Sequence, residues 1–161
     1  MEITEFTNEY TEEVKDMLVG LQNHIVNIDN LKLNTITPEY REEYFKFAYN
    51  MSYNNGGKFF IAKENNIVLG FIACSTTQYE DFAHISYKCP KKGVITELFV
   101  KDNARRKGVA NLLIQKTEEY LKSINCEYVE LDVFSTNINA YYLYKKLGFT
   151  ERVKVMLKKL D

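Results

Sequence analysis

The chain of 161 residues carries a net charge of −1 at pH 7, with 45% hydrophobic and 14% aromatic residues. This length and composition predict one domain over residues 1–161 and exclude a chain that is disordered throughout. The near-zero charge argues against strong phosphate-driven binding to nucleic acid, and no apolar run approaches the roughly 20 residues of a membrane span. The N-terminus lacks a signal-peptide pattern. We therefore expect a cytoplasmic protein with neither a nucleic-acid nor a membrane partner.

The cysteines and histidines give no indication of a metal site or a disulfide scaffold. Cys74, Cys89 and Cys126 are odd in number and widely separated, and only His24 and His84 could complete a zinc site. We predict no metal, and we interpret both histidines as structural or surface residues.

Charge is divided unevenly along the chain. Residues 1–50 hold 10 acidic and 4 basic side chains, whereas residues 51–161 hold 12 acidic and 17 basic ones. This favours a C-terminal half that meets an anion and an N-terminal half that meets a cation, and solvated helix faces that happen to segregate are the alternative.

The first half of the sequence predicts a strand, two helices and a hairpin. In chain order these are a strand at residues 3–6, a helix from Asn8 to residue 28, a helix from Thr37-Pro38 to Asn54, and strands at residues 58–64 and 67–75. Proline suits the first position of a helix, and Asn65-Asn66 suits the tight turn of a hairpin.

The second half predicts strands that alternate with helices. It contains an irregular loop at residues 76–92, a strand at 93–101, a helix from Val109, a strand at 128–134, a helix ending at Leu147 and a strand at 152–160. Helices alternating with strands, together with one hairpin, predict an α/β or α+β fold with a mixed sheet.

A basic segment lies where the strand at 93–101 passes into the next helix. It consists of Arg105, Arg106, Lys107, Gly108, Val109 and Ala110. The first turn of a helix has free N–H groups and a positive dipole end, which together bind phosphate-like anions. Gly108 has no Cβ, so a phosphate could approach the backbone closely. The segment predicts the outline of a pyrophosphate site, with an ordinary solvated helix start as the alternative.

Two motifs resemble the GNAT superfamily of acetyl-CoA-dependent N-acetyltransferases. The first is the strand Ile-Thr-Glu-Leu-Phe-Val at residues 95–100, followed by Arg105-x-x-Gly108-x-Ala110 and a helix. The second begins at Asn137 and continues with Ala140, Tyr144 and Gly148-Phe149. Both motifs occur in the family's order, and the predicted elements agree with the family from residue 1 to residue 160.

The resemblance implies a fold and an acyl donor. It implies a mixed, mostly antiparallel sheet with two splayed parallel central strands and helices on both faces. Acetyl-CoA would lie in the opening between the parallel strands, with its pantetheine arm along the first of them. The cofactor-binding residues that it implies are Leu98, Phe99, Val100, Arg105, Arg106, Lys107, Gly108, Val109, Ala110, Asn137 and Tyr144, with the backbone of Leu98 and Val100 expected to make the pantetheine contacts.

Two side chains are candidates for catalysis. Transfer of an acyl group from a thioester to an amine needs a base for the amine and a proton for the leaving thiolate. We assign the proton donor to Tyr144, because a phenol is protonated at neutral pH. Asn137 is expected to cap the helix that carries it.

Glu97 is the candidate base. A carboxylate within so apolar a strand is costly to bury, so a function or a partner is expected for it. Strict alternation would place Ile95, Glu97 and Phe99 on one face. Glu97 could act as the base, pair with an ammonium group without catalysis, or pair with a structural lysine.

The two N-terminal helices are expected to form the acceptor side. Tyr40, Tyr44 and Phe47 could line a pocket, and the acidic residues around them favour a cationic acceptor. We therefore predict acetyl transfer to a primary amine of a small molecule by direct attack in a ternary complex. The alternatives are an acyl-CoA-binding sensor or structural module without turnover, and a protein or peptide N-acetyltransferase. A homodimer is compatible with the sequence.

Overall fold

The computed structural model describes residues 1–160, which form five strands and four α-helices. In chain order they are β1 (Glu2–Glu5), α1 (Thr11–Ile28), α2 (Tyr40–Asn54), β2 (Lys58–Glu64), β3 (Ile67–Thr76), β4 (Lys92–Val100), α3 (Val109–Ser123), β5 (Tyr128–Glu130) and α4 (Ile138–Lys146). The predicted order of elements is confirmed as far as residue 146. Within residues 1–160, no helix is both long and apolar enough to cross a membrane.

The strands form one mixed sheet in the order β1-β2-β3-β4-β5. Neighbouring strands are antiparallel except for β4 and β5, which are parallel. This confirms the predicted fold class of a mostly antiparallel sheet with one parallel pair.

Different helices cover the two faces of the sheet, as the resemblance implies. On one face, α1 and α2 bury Phe59 and Phe71 together with Val14 of α1. On the other face, α3 buries Ile72 together with its own Leu113. Adjacent residues of β3 therefore belong to different cores, because side chains alternate across a strand.

The C-terminal segment differs from the prediction. Residues 150–160, which we call the C-terminal arm, belong to no helix or strand and are exposed along their whole length. The predicted strand at residues 152–160 is therefore wrong for the single chain. Alternating apolar residues favour a strand, but a strand also needs a neighbour for its backbone hydrogen bonds, and none lies beside the arm within residues 1–160.

The parallel pair lies at one side of the sheet, not at its centre, because β5 is the edge strand. β5 ends at Glu130 and not at residue 134. It pairs with β4 at three positions, which are Lys92 with Tyr128, Gly93 with Val129, and Val94 with Glu130. Beyond Val94, β4 has no partner on this side in the described part of the chain, because β5 ends at Glu130.

A β-bulge in β4 changes which residues share a face. Ala73 of β3 lies opposite Glu97, and the next residue, Cys74, lies opposite Ile95, so Thr96 is an extra residue in β4. Ile95 consequently faces the α3 core, whereas Glu97 and Phe99 face α1 and α2. The predicted grouping of Ile95 with Glu97 is wrong, because strict alternation does not account for the inserted residue.

Candidate active site

Glu97 is a buried carboxyl group held by a tyrosine of α2. Its residue surface is 8% exposed, and Oε1 accepts a hydrogen bond of 2.7 Å from the hydroxyl of Tyr44. Burial raises the pKa of Glu97 to about 7, and the Tyr44 hydrogen bond opposes this rise. A carboxyl with such a pKa is partly ionised at neutral pH, so it can both accept and release a proton.

Aromatic residues of α2 form a cluster around Tyr44, the residue that is bonded to Glu97. The rings of Tyr40 and Tyr44 stack with their centroids 4.6 Å apart. The ring centroid of Phe47 lies 5.7 Å from that of Tyr44, and Phe47 is 56% exposed. Burial, followed by the negative charge of Glu97, raises the pKa of both tyrosines, so their hydroxyl groups stay protonated. The cluster therefore connects solvent at Phe47 with the buried carboxyl.

The edge of β4 that faces β5 is open beyond Val94. Within residues 1–160, positions 95–100 have β3 on one side and no paired strand on the other. Backbone groups of Leu98 and Val100 face this edge and are of the kind that an extended ligand can pair with, whereas those of Phe99 face β3, so the expected backbone contact of Phe99 with the cofactor is wrong.

The carbonyl group of Val100 is already used by a side chain. The N–H of Lys101 donates to Leu69 of β3, so the Val100 carbonyl, at the opposite end of the same peptide unit, points to the open edge. There it accepts a hydrogen bond of 3.2 Å from Nε of Arg105. The guanidinium group of Arg105 also forms an ion pair with Asp102, with 2.7 Å between Nη2 and Oδ1, and it lies over the ring of Phe99. Arg105 therefore closes the far end of the opening.

The N-terminus of α3 presents free amides beside open space. Gly108 precedes the helix with φ of +82°, and a Cβ built there would meet nothing within 4 Å. In the part of the chain that the structure describes, no side chain caps this end, so the amides of the first turn, including Val109 and Ala110, keep their anion-binding capacity. Arg106 and Lys107 are exposed beside them.

Tyr144 of α4 lies on the opposite face of the sheet from Glu97. Its ring packs edge-on against Phe149 at 5.7 Å, within the α3-side core that also contains Leu98. Burial raises the pKa of Tyr144. Within residues 1–160 its hydroxyl makes no hydrogen bond, which leaves it free to donate to a ligand. Oδ1 of Asn137 accepts from the N–H of Ala140, which confirms the predicted cap of α4.

Most acidic residues near α1 and α2 are ion-paired. Lys15 contacts Glu12 at 2.9 Å and Glu42 at 2.6 Å, and Arg41 contacts both of these carboxylates and Asp16. Their charge is therefore largely compensated within the chain. The expectation of an acidic rim for a cationic acceptor loses much of its basis here, because within residues 1–160 it now rests on Glu13 and Glu39, which have no ion pair, together with the buried Glu97.

A polar cleft beside Phe99 was not predicted. It has a volume of about 370 Å³ and is lined by Gly20, Asn23, His24, Asn27, Phe99, Lys101, Asp102 and Arg105. Asn23 and Asn27 are four residues apart in α1, a spacing that places them on one helix face. That spacing is the only sequence indication of the cleft.

The comparisons with known proteins agree with this geometry. Residues 25–149 match the acetyltransferase (GNAT) family, and this range contains both motifs. The chain belongs to this family. It is an acyltransferase of the acetyl-CoA-dependent class.

Similar proteins include an N-alpha-acetyltransferase of Saccharolobus solfataricus, 32% identical over 130 residues, which cover 78% of this chain and 75% of that one. An aminoglycoside N(6')-acetyltransferase type 1 of Acinetobacter haemolyticus is 32% identical over 71 residues, or 43% and 49% of the two chains. Among solved structures, a tetramutant of the Bacillus halodurans protein BH1408 has a TM-score of 0.83 and 17% identity, and the alignment covers 99% of this chain and 100% of that one. The last likeness concerns the fold alone.

Proposed function

We propose that this chain transfers the acetyl group of acetyl-CoA to a primary amine of a small, cationic molecule by direct attack in a ternary complex. The observation that carries the proposal is the Glu97 carboxyl. It is buried, held by Tyr44 and located where β4 opens. A carboxyl in this position can accept the proton that an ammonium group must lose before it becomes a nucleophile.

The residues at the open edge fit an acetyl-CoA molecule. The free amides of Val109 and Ala110 suit the diphosphate, and the open space at Gly108 leaves room for it. The unpaired edge at Leu98 suits the amide groups of pantetheine. When bound, acetyl-CoA supplies the activated acetyl group and a thiol as the leaving group.

Glu97 and Tyr144 have complementary roles in this proposal. Glu97, with its pKa near 7, takes a proton from the acceptor on the α2 side of the sheet. Tyr144, whose hydroxyl is free and protonated, donates a proton to the departing sulfur from the α3 side. Two groups on opposite faces can thus serve the two proton transfers without competing for one position.

The aromatic cluster supports a cationic acceptor. An ammonium group gains from contact with aromatic faces, and the exposed ring of Phe47 adjoins the Tyr44 ring that leads to Glu97. The likeness to an aminoglycoside N-acetyltransferase, an enzyme whose name specifies a small amine, also favours this class.

A second candidate acceptor is the α-amino group of a polypeptide. It is favoured by the likeness to an archaeal N-alpha-acetyltransferase, which extends over 78% of the chain. The chemistry at Glu97 and Tyr144 would be the same, because both acceptors present a primary amine.

The test is a thiol-release assay with acetyl-CoA and two panels of acceptors. One panel contains polyamines and aminoglycosides, and the other contains short peptides with free N-termini, each paired with its N-acetylated form as a control. We expect the wild type to release thiol with the small amines. Glu97→Gln should lower the rate of this release. Glu119→Gln, a change at an exposed glutamate of α3, serves as the control and should leave the rate unchanged.

The outcomes of this assay separate the candidates. Release only with the free peptides would replace the small acceptor by a polypeptide. Binding of acetyl-CoA with no thiol release in either panel would contradict the proposed transfer.

A further inference from the structure

The connection between α1 and α2 is folded around one buried carboxylate. Asp29, the residue that follows α1, is 4% exposed. Its Oδ1 accepts a hydrogen bond of 3.0 Å from the backbone N–H of Leu31. Its Oδ2 accepts three more, from the N–H of Leu33 at 2.8 Å, the N–H of Asn34 at 2.8 Å and the side-chain amide of Asn34 at 2.9 Å. Four hydrogen bonds to one side chain therefore hold the first part of this connection.

The hydrogen bonds to Asp29 stabilise a backbone conformation that is otherwise unfavourable. Residues 32–37 belong to no helix, strand or turn, and Lys32 has a φ of +56°, in the left-handed region that lysine rarely adopts. The side-chain and backbone hydrogen bonds from Asn34 lower the pKa of Asp29 to about 2, so the carboxyl group is charged at neutral pH. A charged acceptor forms stronger hydrogen bonds than a neutral one. The connection therefore depends on the ionised Asp29 for its shape.

Both ends of the connection adjoin the proposed active site. At its start, the carbonyl of Ile28 accepts a hydrogen bond of 2.7 Å from Oγ1 of Thr136, which lies between β5 and α4. At its end, Tyr40 stacks on Tyr44, the residue that is bonded to Glu97. The connection consequently runs from the β5 side of the opening to the aromatic cluster, on the side of the sheet from which the acceptor is proposed to approach.

The connection presents apolar side chains on a fixed backbone. Leu31 and Leu33 are 50% and 69% exposed, although the backbone N–H of each is bonded to Asp29. On α2, Phe47 and Met51 are exposed as well. Groups that are already held in their binding conformation lose little entropy when a ligand binds. An acceptor that enters past the connection would therefore meet apolar side chains that are ready to contact it.

We propose that Asp29 is a positioning residue for the acceptor. It holds residues 30–34 in the shape in which Leu31 and Leu33 contact an apolar group that the acceptor carries next to its amine. Acceptor affinity then depends on the Asp29 carboxylate, although this group touches no substrate. The inference rests on the proposed acetyl transfer, and it specifies the acceptor as a primary amine with an apolar substituent.

The first test is the steady-state kinetics of Asp29→Asn with an acceptor that the wild type acetylates. The variant keeps the size of the side chain, but its amide nitrogen cannot accept the hydrogen bonds that Oδ2 accepts. We expect the KM for the acceptor to rise about tenfold, while kcat and the Kd for acetyl-CoA stay within about twofold. The matched control is Asp81→Asn, a change at an exposed aspartate between β3 and β4, which should behave as wild type.

The outcomes of this test separate the inference from the proposed function. An unchanged KM for the acceptor, or a fall in kcat with a parallel loss of acetyl-CoA affinity, would overturn the role of Asp29 and leave the acetyl transfer in place. A wild type that releases no thiol with any acceptor would contradict the transfer itself, and the role of Asp29 with it.

The second test measures selectivity, which a general loosening of the fold would not change. The acceptors are putrescine and N-benzylputrescine, which carry the same charge and differ in one apolar group. If only peptides are acetylated, two peptides that begin with leucine and with serine form the corresponding pair. We expect the wild type to have the higher kcat/KM for the acceptor with the larger apolar group.

Leu33→Ala should abolish most of this preference, because the Leu33 side chain is exposed and makes the proposed contact. Asp29→Asn should reduce the preference to a similar extent. Since both changes act on one contact, the double variant should be no less selective than either single variant. A wild type without the preference, or an Asp29→Asn variant that retains it, would overturn the inference.

Discussion

Glu97 and the N-terminus of α3 lie towards the two ends of the open stretch of β4, and the chain builds them in opposite ways. Glu97 is enclosed by side chains, with Tyr44 bonded to it and Tyr40 stacked behind. The segment that precedes α3 is open to solvent, since Gly108 faces open space and Arg106 and Lys107 are exposed.

The difference follows from the chemistry that each end would perform. A carboxyl becomes a base near neutral pH only when burial raises its pKa, which requires packing from a distant element such as α2. An anion site at a helix start needs only free amides and an accessible backbone, which a local segment supplies. Substitutions at the two ends should therefore separate binding from proton transfer.

The largest effect is expected for Gly108→Leu. A side chain there would enter the space proposed for the diphosphate and should weaken acetyl-CoA binding on the order of 1000-fold, or about 4 kcal/mol. The substitution should also lower the free energy of unfolding by roughly 1–2 kcal/mol, because leucine is strained in a backbone conformation with positive φ.

Gly148→Leu provides a matched control for this variant. Gly148 also has positive φ, at +92°, and also faces open space, so its substitution should cost similar stability without affecting the cofactor. Calorimetric titration with acetyl-CoA and thermal unfolding measure the two effects. If Gly108→Leu and the wild type bind acetyl-CoA with equal affinity, the diphosphate does not bind beside Gly108.

Tyr144→Phe is expected to lower kcat about 100-fold, the size typical of a missing general acid, while the Kd for acetyl-CoA stays within about twofold. The comparison variant is Tyr142→Phe, because Tyr142 belongs to the same helix and is 66% exposed. It should behave as wild type in steady-state kinetics. If Tyr144→Phe retains full kcat, the proton for the thiolate comes from another group.

Glu97→Gln should lower activity at pH 7 about 50-fold, because about half of the carboxyls are ionised there and a general base contributes roughly 100-fold. The acidic limb of the pH–rate profile should disappear at the same time. A profile that keeps its limb near pH 7 would assign that limb to a different group.

The same variant should change the dependence of stability on pH. The folded state keeps the Glu97 proton up to about pH 7, whereas the unfolded chain loses it near pH 4.5. The free energy of unfolding should therefore fall as pH rises through this window, by about 3 kcal/mol, and level off above it. Glu97→Gln removes this contribution, so urea unfolding at pH 5 and pH 8 should differ less than in wild type.

The sequence predicted local features of the fold and site more successfully than those that depend on distant elements. The cap at Asn137, the strands of the hairpin and the helix start at Gly108 depend on neighbouring residues, and each was predicted in place. The bulge at Thr96 depends on the register between β3 and β4, which no local pattern reveals. The bond between Tyr44 and Glu97 spans 53 residues, so the sequence could suggest both residues but not their contact.

The arm illustrates a different reason for failure. Its alternating pattern is that of a strand, yet the pattern describes only which face would be buried and not what buries it. Within residues 1–160, no strand pairs with residues 152–160. A strand prediction there depends on a partner that a single sequence does not specify.

Tyr44→Phe should have the smallest effect, and it tests whether packing on the α2 side sets the ionisation of Glu97. Loss of the hydrogen bond should raise the pKa of Glu97 further, because that bond stabilises the charged carboxylate. Activity at pH 7 should fall about fivefold, equivalent to about 1 kcal/mol, and recover as the pH rises. Adding Tyr44→Phe to Glu97→Gln should then change nothing, because the group that the tyrosine acts on no longer ionises. An equal loss in both backgrounds would mean that Tyr44 contacts the acceptor directly and does not act through Glu97.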